Sequence, residues 1–417
     1  MPEIQHAYIT STGAYLPGPP IPNDEIEQIL GYVHGKPSRL RKRILQSNGI
    51  LSRHYALDNQ QRSTHQNSDL ACIAARACVN RAEIDDRKID MLAVASTQGD
   101  LPLPGMASAV QAQLGIGPLE ILTTHGVCSS GMMALKSAAN QVRLGEKEHC
   151  LIVASELASR LLKKSRYEAA VNMRPDLESE FLRWMLSDGA GSMLVEARPR
   201  WRGLSLRIDW IEVMSFASDY DLCMSCGTAD QSLWRLDSPY RATECASSAA
   251  RLQPTSGEAT TSTATLAPVA VRDQSWQDYA TYAQAEADGA LLIRQNLKLL
   301  EEVVKVGVDG FISLINSGKI RADEIDHFVC HYSSHHFRGR ILDLLKLSGC
   351  LIPEDRWFTN LYERGNTGCA AIFIALDELF QSAALRPGQV VFCVVPESGR
   401  FTTAYMKLTV VPGRSEA

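Results

Sequence analysis

Two pairs of buried-strand segments repeat along this chain at similar offsets, and this repetition limits the fold more than any other feature. Ile89 to Ser96, IDMLAVAS, is echoed by Ile325 to Ser333, IDHFVCHYS, each after a helical stretch and a short acidic turn. His149 to Glu156, HCLIVASE, is echoed by Gln389 to Glu397, QVVFCVVPE, each closing on Ser or Pro and then Glu. Runs this apolar lack the alternation of a half-exposed strand and belong to a sheet covered on both faces. Self-similarity of this kind implies two halves of roughly 200 residues on one supersecondary plan, facing each other with loops at the seam.

The remaining pattern is that of an α/β protein, strands alternating with amphipathic helices. A strand is expected over Ala7–Ser11, then a helix from Asn23 as N-cap with Asp24 and Glu25 in its first turn. Further helices are expected over Ser68–Arg81, over Met132–Leu144 with a start near Ser129, and from about Ala285 toward Val306. The halves divide as 1–200 and 201–417, with an Ala/Ser/Thr-rich surface insertion over 242–267 in the second.

Composition removes several function classes. A net charge of −5 with no basic excess argues against nucleic acid, and no apolar run is long enough to span a bilayer. Met1 to Thr12 lack the features of a signal peptide. Eleven cysteines without a spaced framework fit reduced thiols in a cytoplasm. The single pair Cys223-Met224-Ser225-Cys226 is a weak zinc signal without a second ligand pair, so neither a metal nor a cofactor is expected. The basic stretch Lys36 to Arg43 is either a solvated face or a surface for an acidic partner.

The chemistry centres on Thr123-Thr124-His125-Gly126-Val127-Cys128-Ser129-Ser130-Gly131, a small-residue turn that opens a helix. Cys128 at that point is expected to have a lowered pKa, because unsatisfied N–H groups and the helix dipole favour an anion. The competing reading is an inert buried thiol. Three other constellations accompany it. His331 ends an apolar strand, with His335 four residues on. Asn366 stands in the turn Arg364-Gly365-Asn366-Thr367-Gly368 before an apolar helix, where capping is the commoner use. Ser187-Asp188-Gly189-Ala190-Gly191 reads as close backbone packing before a strand.

These motifs, in this order and almost end to end, resemble the ketoacyl-ACP synthase III type of ketosynthase in the thiolase-fold superfamily. The resemblance rests on Gly13 to Pro17, Asn48-Gly49-Ile50 with Arg53, the Cys128 turn, Ala154-Ser155-Glu156, Ser187 to Gly191, His331, and Gly365-Asn366-Thr367. It implies a duplicated five-layered αβαβα thiolase fold, a homodimer, and Cys128, His331 and Asn366 as the catalytic set. On that reading Cys128 takes an acyl group from a thioester, while His331 and Asn366 hold the enolate oxygen of a second one. The loop with Ser398, Gly399 and Arg400 would border the oxyanion.

Departures from the family carry information as well. The usual His-Gln-Ala-Asn is His331-Tyr332-Ser333-Ser334 here, and the spacing to Asn366 makes His335 a rival. Arg43 and Ser47 stand where bacterial members carry residues for coenzyme A, which favours acyl carrier protein thioesters as donors. The variations are similar to a secondary-metabolism branch that condenses a β-ketoacyl thioester with a second acyl thioester and cyclises the product to a cyclohexanedione. That chemistry needs a base. His331 is the first candidate, with Glu156 and Glu397 as accessory ones whose alternative role is structural. The rival functions are an initiating synthase joining acyl-CoA to malonyl-ACP and an inactive partner subunit.

Overall fold

In the computed structural model, residues 5–231 and 275–415 are described; the expected insertion over 242–267 lies outside them. Ten strands form one hydrogen-bonded sheet: β1 (Ala7–Tyr15), β2 (Met91–Ser96), β3 (Glu120–His125), β4 (His149–Glu156), β5 (Gly189–Glu196), β6 (Leu204–Ser215), β7 (His327–Cys330), β8 (Trp357–Phe358), β9 (Val390–Pro396) and β10 (Thr402–Pro412). Their spatial order is β8-β7-β9-β10-β6-β1-β5-β4-β2-β3. The order is symmetric about the β6/β1 junction, so β2 corresponds to β7 and β4 to β9, the pairs whose sequences echo each other. The bonding is symmetric too: β2 is parallel to β3 and β4, β7 is parallel to β8 and β9, and the remaining neighbours are antiparallel.

The helices that cover the sheet or border its loops include α1 (Arg41–Asn48), α2 (Asn67–Ala82), α3 (Ser130–Arg143), α4 (Leu300–Asn316), α5 (His335–Leu347) and α6 (Ala371–Gln381), with Met106–Leu114 packed beside α2. Because successive side chains of a strand point to opposite faces, each half-sheet feeds two cores. Ala93, Ile152, Met193 and Leu206 turn inward with Val391, Cys393, Met406 and Leu408, and all pack on α3 and α6 in a central layer. The opposite faces carry Leu92, Val94, Leu151 and Leu194 against α2, and Phe328, Phe392, Val394 and Tyr405 against α4 and α5. The result is five layers, αβαβα, with the half-sheets joined where Ala7–Ile9 pairs with Leu206–Ile208.

Two expected helices differ. Asn23 caps nothing: its side-chain amide donates to the Ile50 carbonyl and its oxygen accepts from Arg53, and the helix is the short stretch Ile26–Leu30. The helix expected from Ala285 is broken into Tyr282–Ala287 and α4. Gly289, at φ +77°, stops the first, and Arg294–Gln295 then pairs with Met224–Ser225 as a small ribbon. The break brings Ile293, Gln295 and Leu300 to the cleft that holds Cys128.

Candidate active site

The chemistry-bearing residues sit at the C-terminal ends of strands, where parallel strands of an open sheet leave a crevice. Cys128 follows β3 and precedes α3, Glu156 ends β4, His331 follows β7, and Glu397 follows β9. Cys128, Glu156 and Asn366 line one cleft of about 680 Å³, together with Thr97, Gln295, Ser333 and Ser398. Much of its lining is apolar: Leu157, Leu161, Phe181, Leu182, Met185, Leu186, Met224, Ile293 and Leu300. A lining of this composition suits an apolar ligand, with a few polar groups to orient it.

Cys128 is buried, at 6% exposure, just outside the first turn of α3. The expected lowering of its pKa is reversed: burial first, then the charges of Glu397 and Glu156, push the thiol well up. Among the described residues no cation lines the cleft to offset them. A helix dipole supplies about half a charge, which two nearby carboxylates and desolvation outweigh. The resting residue is therefore a thiol.

Asn366 is held by its backbone, which donates to the Met185 carbonyl (3.0 Å) and accepts from Ser187 N–H (2.8 Å). Its Oδ1 accepts from Gly368 N–H at 2.9 Å, which fixes the amide orientation and leaves Nδ2 as the donor toward the cleft. The Ser187–Gly191 turn does what its sequence suggests. Asp188 accepts from Ala56 and Ser159 N–H groups, while the strand beyond packs closely on α6.

His331 lies elsewhere. It lines an adjoining cavity of about 350 Å³ with Tyr332, Asn360, Leu361 and Gly365, the last of these the residue before Asn366. Its Nε2 is buried without a hydrogen-bond partner among the described residues, and burial lowers the imidazole to about 4. The ring is neutral at pH 7. His335 is exposed at the start of α5, its Nδ1 2.7 Å from the Tyr362 hydroxyl, and does not line the cleft. Glu397 accepts a hydrogen bond from Ser129 Oγ and draws the backbone N–H groups of Ser129, Arg400 and Val127; burial raises its pKa. The Gly399 carbonyl accepts from Cys223 and Met224 N–H groups, tying this loop to the ribbon.

Sequence reasoning missed the apolar lining, because its residues come from five separate segments with no common motif. Their signal was weak: Leu161-Leu162, and then Phe181, Leu182, Met185 and Leu186, stand out as apolar clusters in an otherwise polar stretch.

Comparison with known proteins agrees with this architecture. Residues 55–196 match the family model "Thiolase, N-terminal domain", and 315–405 match the C-terminal model of 3-oxoacyl-[acyl-carrier-protein] synthase III. A beta-ketoacyl-[acyl-carrier-protein] synthase III of Hyphomonas neptunium is 26% identical over 93% of this chain and 94% of its own length. One of Dinoroseobacter shibae is 30% identical, but the match spans 46% of this chain and about half of that protein, 52%. Among solved structures, the tetronic acid condensing enzyme AbyA1 superposes with a TM-score of 0.70 at 17% identity, covering 97% of this chain and 99% of its own. The Pseudomonas aeruginosa 3-oxoacyl-(acyl carrier protein) synthase III gives 0.67 at 20%, covering 98% of both chains. Xanthomonas campestris OleA gives 0.67 at 18%, covering 97% and 99%. The fold is the thiolase fold.

Proposed function

We propose that this member of the thiolase superfamily, synthase III-like in fold, is an acyltransferase that joins two thioesters by a Claisen-type carbon–carbon bond. The observation that carries the reading is that Cys128 and the donor face of Asn366 share one cleft with a largely apolar lining. The Cys128 sulfur attacks an acyl thioester, and the thiol proton leaves with the departing thiol. This covalent step divides a difficult condensation into two easier ones. The donor thioester then presents its carbonyl oxygen to Asn366 Nδ2. A buried donor aimed at a developing enolate contributes about 3 kcal/mol in comparable sites. His331, which lines the cavity adjoining this cleft together with Gly365 of the Asn366 turn, is proposed to reach the same oxygen as a neutral imidazole donor once the donor thioester is bound.

The donor proposed is a β-ketoacyl group on an acyl carrier protein, and the condensed product closes to a cyclohexanedione. Carrier-bound donors are supported by the cations Arg39, Lys42 and Arg43, exposed on and before α1. Arg43 and Ser47 line an opening of about 610 Å³ that shares Phe181 and Leu300 with the Cys128 cleft. A homodimer is supported by β3, one edge strand of the sheet, which exposes Ile121.

The test is intact-protein mass and product analysis of the protein and its Cys128→Ala variant with acyl- and β-ketoacyl-carrier proteins. Acylation that the variant loses, and a cyclic diketone that requires both donors, are expected. A linear, decarboxylated product from a malonyl donor alone would instead make this an initiating synthase. No mass shift would end the nucleophile assignment.

A further inference from the structure

Glu156 is 5% exposed, yet it lines the cleft beside Cys128 and Asn366. Its two oxygens are used differently. Oε1 accepts from Thr97 N–H (3.1 Å), Thr97 Oγ1 (2.5 Å) and Cys369 N–H (3.2 Å). The backbone turn after Asn366 presses on the same oxygen: a Cβ at Gly368 would stand 2.9 Å from it. The Cys369 thiol also interacts with the carboxyl, but no N–H or O–H group among the described residues donates to Oε2. A carboxylate pinned through one oxygen, with the other left open in a substrate-sized cleft, has the form of a positioned base rather than a structural clasp. Glu397, by contrast, is spent on Ser129 and does not line the cleft. His331 faces the adjoining cavity.

We infer that Glu156 Oε2 is the base that takes the α-proton of the incoming donor, so that the condensing step is built for a donor whose α-carbon carries no carboxylate rather than one that loses carbon dioxide. The inference rests on the reading that Cys128 carries the first acyl group. In the step, the α C–H bond breaks and its proton passes to Oε2, leaving an enolate whose oxygen is held by Asn366. The α-carbon bonds to the thioester carbonyl carbon, the carbon–sulfur bond to Cys128 breaks, and the departing thiolate recovers the proton from Glu156. No other reactant is consumed. A decarboxylating donor generates its enolate without a base and would leave Glu156 without work.

The titratable groups facing Glu156 are Cys128 and, at the start of the next turn, Cys369; among the described residues no Lys, Arg or His lines the cleft. Burial raises the carboxyl above its ordinary value. The base is active once deprotonated, so condensation rises with pH through that raised pKa and is lost below it.

The experiment is single turnover from the acyl-enzyme, with loading first verified by intact mass and a β-ketoacyl-carrier protein then added. Glu156→Gln keeps an oxygen for Thr97 and Cys369, so the variant is expected to load Cys128 but to condense about 100-fold or more slowly, without the acid limb of the parent's pH profile. Glu156→Asp, which retains a carboxylate, is expected to restore that limb and part of the rate. Condensation by Glu156→Gln within a few-fold of the parent, or an unchanged acid limb, would overturn the inference, as would Glu156→Asp failing to restore the limb. Failure of the parent itself to load would instead refute the thioester-condensing function.

Discussion

Acidification is expected to unfold this protein partly through one residue, His331. Its imidazole is 9% exposed, its Nε2 lacks a hydrogen-bond partner among the described residues, and burial lowers it from 6.5 to about 4. The unfolded chain therefore takes up a proton near pH 6.5 that the folded chain refuses until about pH 4. Stability contributed by the neutral ring is complete above 6.5 and is lost as pH falls toward 4. Integrated over that window the loss is about 3 kcal/mol, of which about 2 kcal/mol has gone by pH 5. His331→Gln, which does not titrate, removes this component alone. Urea unfolding of both proteins at pH 7.5 and pH 5 isolates it as a difference of differences, since carboxylates that titrate in the same range cancel. The parent should lose about 2 kcal/mol more than the variant between the two conditions. Parallel losses would show that the imidazole titrates as if in water, and the buried, neutral role given to His331 would fail with it.

Two further perturbations test packing and the entrance. A Cβ at Gly13 would stand 2.5 Å from both the Ala74 carbonyl oxygen and the Cys78 nitrogen, backbone atoms of α2 that cannot step aside. Gly13→Ala should cost about 3 kcal/mol in urea unfolding, whereas Gly339→Ala, in α5 with nothing within 4 Å, should stabilise by about 0.5–1 kcal/mol. Replacing Arg39, Lys42 and Arg43 together by Glu should raise KM for carrier-bound donors about tenfold at low salt and much less at high salt. A small free thioester should be unaffected, and an equal effect on both donors would move the docking surface elsewhere.

The duplicated architecture was legible in the chain because strands covered on both faces must be apolar throughout. That is why Met91–Ser96 echoes His327–Cys330 and His149–Glu156 echoes Val390–Pro396. The Cys128 and Asn366 turns were legible as turns because tight turns use small residues and leave a local signature. What a sequence cannot show is which side chains share a space. Only the packed structure sets Cys128 between burial and two carboxylates, which reverses the effect expected from its helix. Only the structure turns His331 into a neighbouring cavity and leaves one oxygen of Glu156 open beside Cys128. The apolar wall of the cleft likewise comes from segments between Leu157 and Leu300 that meet only in three dimensions. Local pattern determines strands, helices and turns through backbone geometry and the burial of apolar faces. Electrostatics and cavity shape are sums over residues distant in the chain, and tertiary packing alone decides them.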